Sequence, residues 1–244
     1  MWDDLTWVQW AAAAVAALLV GFAKTGLPGA GIVIVPLMAL AFPARESVGR
    51  LLILLILGDV FAVSFYCRHA RFRTLLKLLP GVLAGIVLGA FSLDALDDRG
   101  FRLLLGALVL VLLAIDIQRR LSGMNPGRHP AAAPLVGAAA GWATAVGNAA
   151  GSIMAIYFVM MGFPKKKFLG TAALFFAVVN WIKLPVFAGI GIVDKGIVWS
   201  GLSLLPAVAA GALLGRAVLY RIPQKMFETV VLILAAAAAL MLLV

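Results

Sequence analysis

Apolar residues run along this chain in stretches about as long as a bilayer is thick, separated by short segments that carry most of the charge. A helix that crosses a membrane needs about 20 predominantly apolar residues, and the pattern predicts such helices at about 47–66, 75–93, 100–117, 168–190, 197–215 and 225–244. Two further apolar segments, about 5–42 and 133–162, are too long for one ordinary crossing, and a glycine-rich motif interrupts each of them. They are expected to be broken elements, either re-entrant hairpins or pairs of crossings, and both options return the chain to the side from which it came.

The two interruptions resemble each other. Gly21-Phe22-Ala23-Lys24-Thr25-Gly26-Leu27-Pro28-Gly29-Ala30-Gly31 recurs in outline as Gly141-Trp142-Ala143-Thr144-Ala145-Val146-Gly147-Asn148-Ala149-Ala150-Gly151. The correspondence continues through Pro43 and Pro164, Gly49 and Gly170, and Asp59 and Asn180, then through Pro80 and Pro206, Gly85 and Gly211, Gly89 and Gly215, and Phe101 and Phe227. The expected fold is all-α: one polytopic transmembrane domain over 1–244. Repeat one covers about 5–117, a linker about 118–134 carries the turn-forming run Ser122 to Gly127, and repeat two covers about 135–244. Each repeat is a Gly-rich broken or re-entrant element followed by three transmembrane helices.

Composition agrees, since 64% hydrophobic residues and a mean hydropathy of +1.12 leave too little polar surface for a water-soluble domain of 244 residues. The net charge of +10 is explained by topology rather than by nucleic acid. If the broken elements return to their starting side, one face collects thirteen basic residues, in the loops around 67–77, 118–129, 164–167 and 216–225. The other receives only Arg45, Arg50, Arg99, Arg102 and Lys195, mixed with seven acidic residues. The positive-inside rule then puts the basic face in the cytoplasm and both termini outside. The parity also makes the halves inverted, an arrangement found in secondary transporters that work by alternating access around a central site. Asp3 and Asp4 stand where a signal peptide would be basic, so the N-terminus is not expected to be one. The single cysteine, Cys67, excludes an intramolecular disulfide.

Candidate chemistry concentrates at the breaks. Backbone unwinds inside a membrane only where protein or a cavity surrounds it. Half-helices starting after such breaks aim N–H groups and positive dipole ends inward, which suits an anion. The candidate substrate-binding residues are Lys24, Thr25, Gly29 and Gly31 in the first half and Thr144, Asn148, Gly151, Ser152, Asn180 and Lys183 in the second. Charge at this depth is costly and usually pairs or faces a cavity. Lys24 or Lys183 is expected to supply positive potential, while Asp59 balances it, pairs with Lys183 to lock the halves, or carries a coupling proton or cation. Asp116 and Glu228 are expected near membrane ends as solvated or snorkelling carboxylates. Gly81, Gly85, Gly89, Gly211 and Gly215 are read as close-packing positions. The six tryptophans are read mostly as interfacial anchors, with Trp142 and Trp181 near enough to the breaks to line a pocket.

The chain offers no catalytic set, metal-ligand spacing, cofactor motif or P-loop, so neither an enzyme nor a nucleotide-driven motor is expected. The two Gly-rich motifs, Gly58-Asp59, Tyr157, the Phe-Leu-Gly-Thr run at 168–171 and Asn180 with Lys183-Leu184-Pro185 resemble the sulfite exporter TauE/SafE family over essentially the whole length. That resemblance implies a multi-pass protein of the bacterial inner membrane that moves sulfite or a small organosulfonate, usually outward. An importer or carrier of another small anion such as a carboxylate, and a passive anion channel, are the alternatives.

Overall fold

The computed structural model describes residues 6–28, 33–92, 98–122, 129, 131–147 and 150–243, and every regular element among them is helical. In chain order these are α1 (Trp7–Thr25), α2 (Ile34–Ala41), α3 (Ala44–Tyr66) with a 3-10 turn at Cys67–His69, α4 (Phe72–Ser92), α5 (Asp98–Ser122) and α6 (Ala132–Gly147). Then follow α7 (Ala150–Met160), α8 (Lys165–Gly189), α9 (Lys195–Ser203), α10 (Leu205–Arg221) and α11 (Gln224–Leu243). Helices α1, α3, α4, α8 and α11 contain stretches long and apolar enough to cross a membrane. Both expected interruptions are present, between α1 and α2 and between α6 and α7.

One span departs from expectation. The stretch 197–215, expected to be a crossing by one continuous helix, is two helices, α9 and α10, bent by 49°, which together remain long and apolar enough for one crossing. Pro206 stands in the first turn of α10, just past the bend, and has no amide hydrogen with which to continue the ladder of α9. Its counterpart Pro80 lies inside the continuous helix α4, so proline at this place permits a break without enforcing one. Asp194 starts α9 cleanly, its carboxylate accepting from the Ile197 amide at 2.7 Å.

The chain divides into two compact units, each assembled from both halves of the sequence: Met1–Ala70 with Leu169–Pro223, and Arg71–Phe168 with Gln224–Val244. In the first unit α1 begins with a Thr6–Gln9 capping box, and the Gln9 side-chain amide donates to the Ala41 carbonyl at 2.8 Å. The end of α2 therefore lies beside the start of α1. With 19 residues α1 is about 28 Å long, whereas the 8 residues of α2 span about 12 Å, so the first broken element is one full-length helix and a short returning one.

Also in this unit, α3 and α8 run antiparallel. A Cβ on Gly49 would meet the Ile192 carbonyl oxygen at 2.3 Å, one on Gly170 would meet the Tyr66 carbonyl oxygen at 2.3 Å, and Asp59 touches Asn180 between them. These helices correspond in the sequence pattern, and the corresponding residues Asp59 and Asn180 touch each other. Antiparallel contact between corresponding helices is what inverted repeats require.

The same close approach holds α1 to α10. A Cβ on Gly21 would lie 2.0 Å from the Val208 oxygen and one on Gly211 would lie 1.9 Å from the Leu18 oxygen. The second unit repeats the device between α4 and α6: a Cβ on Gly81, Gly85, Gly137 or Gly141 would fall 1.9, 2.0, 2.4 or 2.2 Å from the oxygens of Pro134, Ala138, Leu78 and Val82. The packing role read for Gly81, Gly85, Gly89, Gly211 and Gly215 is thus the one these residues have. Elsewhere in this unit Phe158, Phe163, Phe168 and Phe227 form a continuous ring cluster. Gly162, at φ +66°, ends α7 in a Schellman motif: the Phe163 amide reaches the Phe158 oxygen at 3.1 Å and the Gly162 amide the Val159 oxygen at 2.9 Å.

Two substitutions separate close packing from conformational need. Gly85→Ala should lower stability by about 1–3 kcal/mol through overpacking. Gly162→Ala, with open space around it, should lose about 1–2 kcal/mol from its left-handed backbone alone. Thermal unfolding in detergent measures both; a Gly85→Ala protein as stable as wild type would show that α4 and α6 are not held at this distance.

Candidate functional site

Helix α1 ends at Thr25, with Gly26 as its cap and Lys24 in its last turn, where a cation meets the negative end of the helix dipole. The Lys24 stem crosses onto α3 because residue 58 is glycine: a Cβ there would stand 3.0 Å from Lys24 Cγ and 3.0 Å from Val20 Cγ1. Next in the chain is Asp59, only 1% exposed. Lys24 Nζ donates to Asp59 Oδ1 at 2.6 Å, and Asn180 Nδ2 of α8 donates to Asp59 Oδ2 at 2.7 Å. Both carboxylate oxygens are thus engaged, each from a different helix.

Helical spacing places the rest. Phe176, Asn180, Lys183 and Phe187 follow one another at four, three and four residues and so share one face of α8. The Phe176 ring lies 4.5 Å from Lys24 Nζ and the Phe187 ring 5.2 Å from Lys183 Nζ, both favourable seats for a cation. Lys183 is buried. On α3, Tyr66 stands seven residues beyond Asp59, and its hydroxyl donates to the Thr25 carbonyl at 2.9 Å. Thr25 itself is buried, its hydroxyl directed to the Ala212 carbonyl at 2.7 Å and the Gly21 carbonyl at 3.0 Å. That hydroxyl fastens the end of α1 to α10.

Of the residues singled out from the sequence, Lys24, Thr25, Asp59, Asn180 and Lys183 all lie in the first unit, and the structure joins Lys24, Asp59 and Asn180 directly. Asp59 pairs with Lys24, where the sequence left Lys183 open as its partner. Thr144 is buried in α6 of the second unit, Ser152 is half-buried on α7, and Gly151 is exposed there with open space around it. Gly29, Gly31 and Asn148 lie outside the described residues. Trp181 is 59% exposed.

One expectation needs correction: Asp116 is 1% exposed rather than solvated. Arg50, inside the helix expected over about 47–66, is buried on α3, donates to Glu46 at 2.8 Å through Nε and to Ser200 Oγ at 2.9 Å, and lies 4.7 Å over the Phe42 ring. A small cavity of about 10 Å³, lined by Arg50, Ser200 and Phe42 among apolar neighbours, adjoins it. Sequence reasoning also missed Tyr66, although its seven-residue spacing from Asp59 was a usable signal.

Fold and site together define a polytopic α-helical membrane protein with a charged cluster buried among its helices. Residues 13–242 match the family Sulfite exporter TauE/SafE, and the chain belongs to that family of membrane transporters. No curated protein and no solved structure matches it.

Removing one partner of a buried ion pair strands the other, at about 3–5 kcal/mol. Asp59→Ala should lose roughly that much stability, and the charge-neutral pair Lys24→Ala with Asp59→Ala should lose less than Asp59→Ala alone. Chemical or thermal unfolding of the three variants in detergent tests this; a double variant less stable than Asp59→Ala would mean that the pair is not the main contact of either residue.

Proposed function

We propose that this protein is a secondary transporter that carries sulfite or a small organosulfonate anion outward across the bacterial inner membrane by alternating access. The observation that carries the reading is the Lys24–Asp59–Asn180 contact, buried where two corresponding, antiparallel helices meet. A residue and its duplicate that touch each other lie on the local pseudo-two-fold axis relating their helices. That axis is where inverted-repeat transporters place substrate and coupling ions.

The chemistry fits an oxyanion. Lys24, Asp59 and Lys183 carry a formal charge of +1 together, and Asn180 adds a neutral donor. The amino terminus of α2 follows the first break, and the positive end of its dipole suits an anion there. Gly29, Gly31, Thr144, Asn148, Gly151 and Ser152 remain proposed contributors from the two breaks. Thr25 serves the site by holding α1 in place. The return of α2 to the start of α1 supports the topology in which the basic loops face the cytoplasm and both termini face outward. A proton or cation accompanies the anion through Asp59, and no cofactor or catalytic group is invoked.

Proteoliposomes loaded with sulfite, sulfoacetate, sulfate, acetate or chloride should show saturable counterflow for sulfite or sulfonates. Preference for acetate would reassign the substrate, and unsaturable flux would make the protein a channel. Lys24→Ala and Asn148→Ala should abolish anion binding while leaving a folded protein; wild-type binding by both would overturn the site.

A further inference from the structure

The two donors best suited to an oxyanion, Lys24 Nζ and Asn180 Nδ2, each hold one oxygen of a single carboxylate. An ammonium and an amide converging on two oxygens of one planar anion make an oxyanion site, and Asp59 fills it. From this geometry we infer that Asp59 is the resident anion of the site, displaced from Lys24 and Asn180 by the transported anion and neutralised by a proton as it leaves. The inference rests on the anion-transporter reading above and deepens it: the coupling ion becomes a proton, and the coupling becomes direct competition for one pair of donors.

The charge balance of the Lys24–Asp59 pair itself favours that step. With Asp59 on Lys24, the pair is neutral. An incoming anion that takes the ammonium leaves a carboxylate buried at 1% exposure without its counter-charge, which is costly enough for such a group to neutralise instead. The carboxylate accepts one proton from water on the side to which the site is open, and the anion replaces it on Lys24. Release of the anion reverses both transfers.

The surroundings leave Lys24 as the group that exchanges partners. Among the described residues, Lys24 of α1 is the titratable group in an ion pair with the carboxylate. Lys183, on the described part of α8, stands over Phe187, and α2 carries no titratable residue. Helix α9 brings Asp194, committed to its own amino terminus, and Lys195. Helix α10 brings Arg216, which stands over Phe65 and Tyr220, and Arg221. On α3 itself Glu46 and Arg50 pair with each other, and Tyr66 is bonded to Thr25.

Asp59→Asn is the informative variant. Its amide oxygen still accepts from Lys24 and its NH2 faces an Asn180 that need only flip, so hydrogen bonding survives while the resident charge is lost. The test is binding of methanesulfonate, a strong-acid anion that stays ionised throughout, to the full chain in nanodiscs between acidic and alkaline pH. Wild type should lose affinity as pH rises, approaching about tenfold per pH unit for one linked proton. Asp59→Asn should bind at least as tightly as wild type at its best pH and show no such slope. Infrared difference spectra of wild type should gain a protonated-carboxyl band on adding methanesulfonate, a readout that needs no variant. Weaker binding by a folded Asp59→Asn with the wild-type slope, or wild-type spectra without that band, would overturn the inference. If neither protein binds methanesulfonate or sulfite at any pH, the anion-transporter reading fails and this inference with it. Binding by Asp59→Asn alone would support displacement.

Discussion

Helices immersed in lipid gain little by hiding apolar surface from one another, because the solvent is as apolar as they are. What remains is close van der Waals contact, and this protein obtains it by removing side chains. Gly21 and Gly211 bring α1 against α10, while Gly81, Gly85, Gly137 and Gly141 bring α4 against α6, at distances where a methyl group would collide with a backbone oxygen. These two seams have the same construction, and each joins a helix from one half of the chain to a helix from the other. Neither half can complete its packing alone.

The seams decide where charge can be buried. Because α1 is held so closely, its last turn has one place to go, and Gly58 opens the path by which the Lys24 stem reaches Asp59. Tyr66 and Thr25 then fix the end of that helix with hydrogen bonds to backbone oxygens. The result is a short run of polar contacts across α1, α3, α8 and α10 in a setting where an unpaired partner is expensive. Such a network has few arrangements that satisfy every group.

A second ion pair, between buried Arg50 and half-buried Glu46, ties α3 to α9 through Ser200. It sits at the opposite end of α3 from Tyr66 and just before the bend between α9 and α10. Since α9 and α10 meet at a 49° bend, the chain has a corner at this place that the corresponding helix α4 lacks.

The sequence by itself determined the solvent, the helical class, the family resemblance, the two broken elements and the correspondence between Asp59 and Asn180, because each is a matter of composition, period or internal repetition. It also marked Lys24, Asp59 and Lys183 as significant, since charge within an apolar run has few ordinary explanations. It left open which lysine Asp59 would choose, placed Asp116 near a membrane end in solvent, and gave no sign of the bend between α9 and α10. Those outcomes belong to the tertiary structure. Partner choice depends on helix rotation and on approach distances of a few tenths of an ångström, and a proline's effect depends on what packs around it. Both are set by contacts between residues far apart in the chain, which no local pattern records.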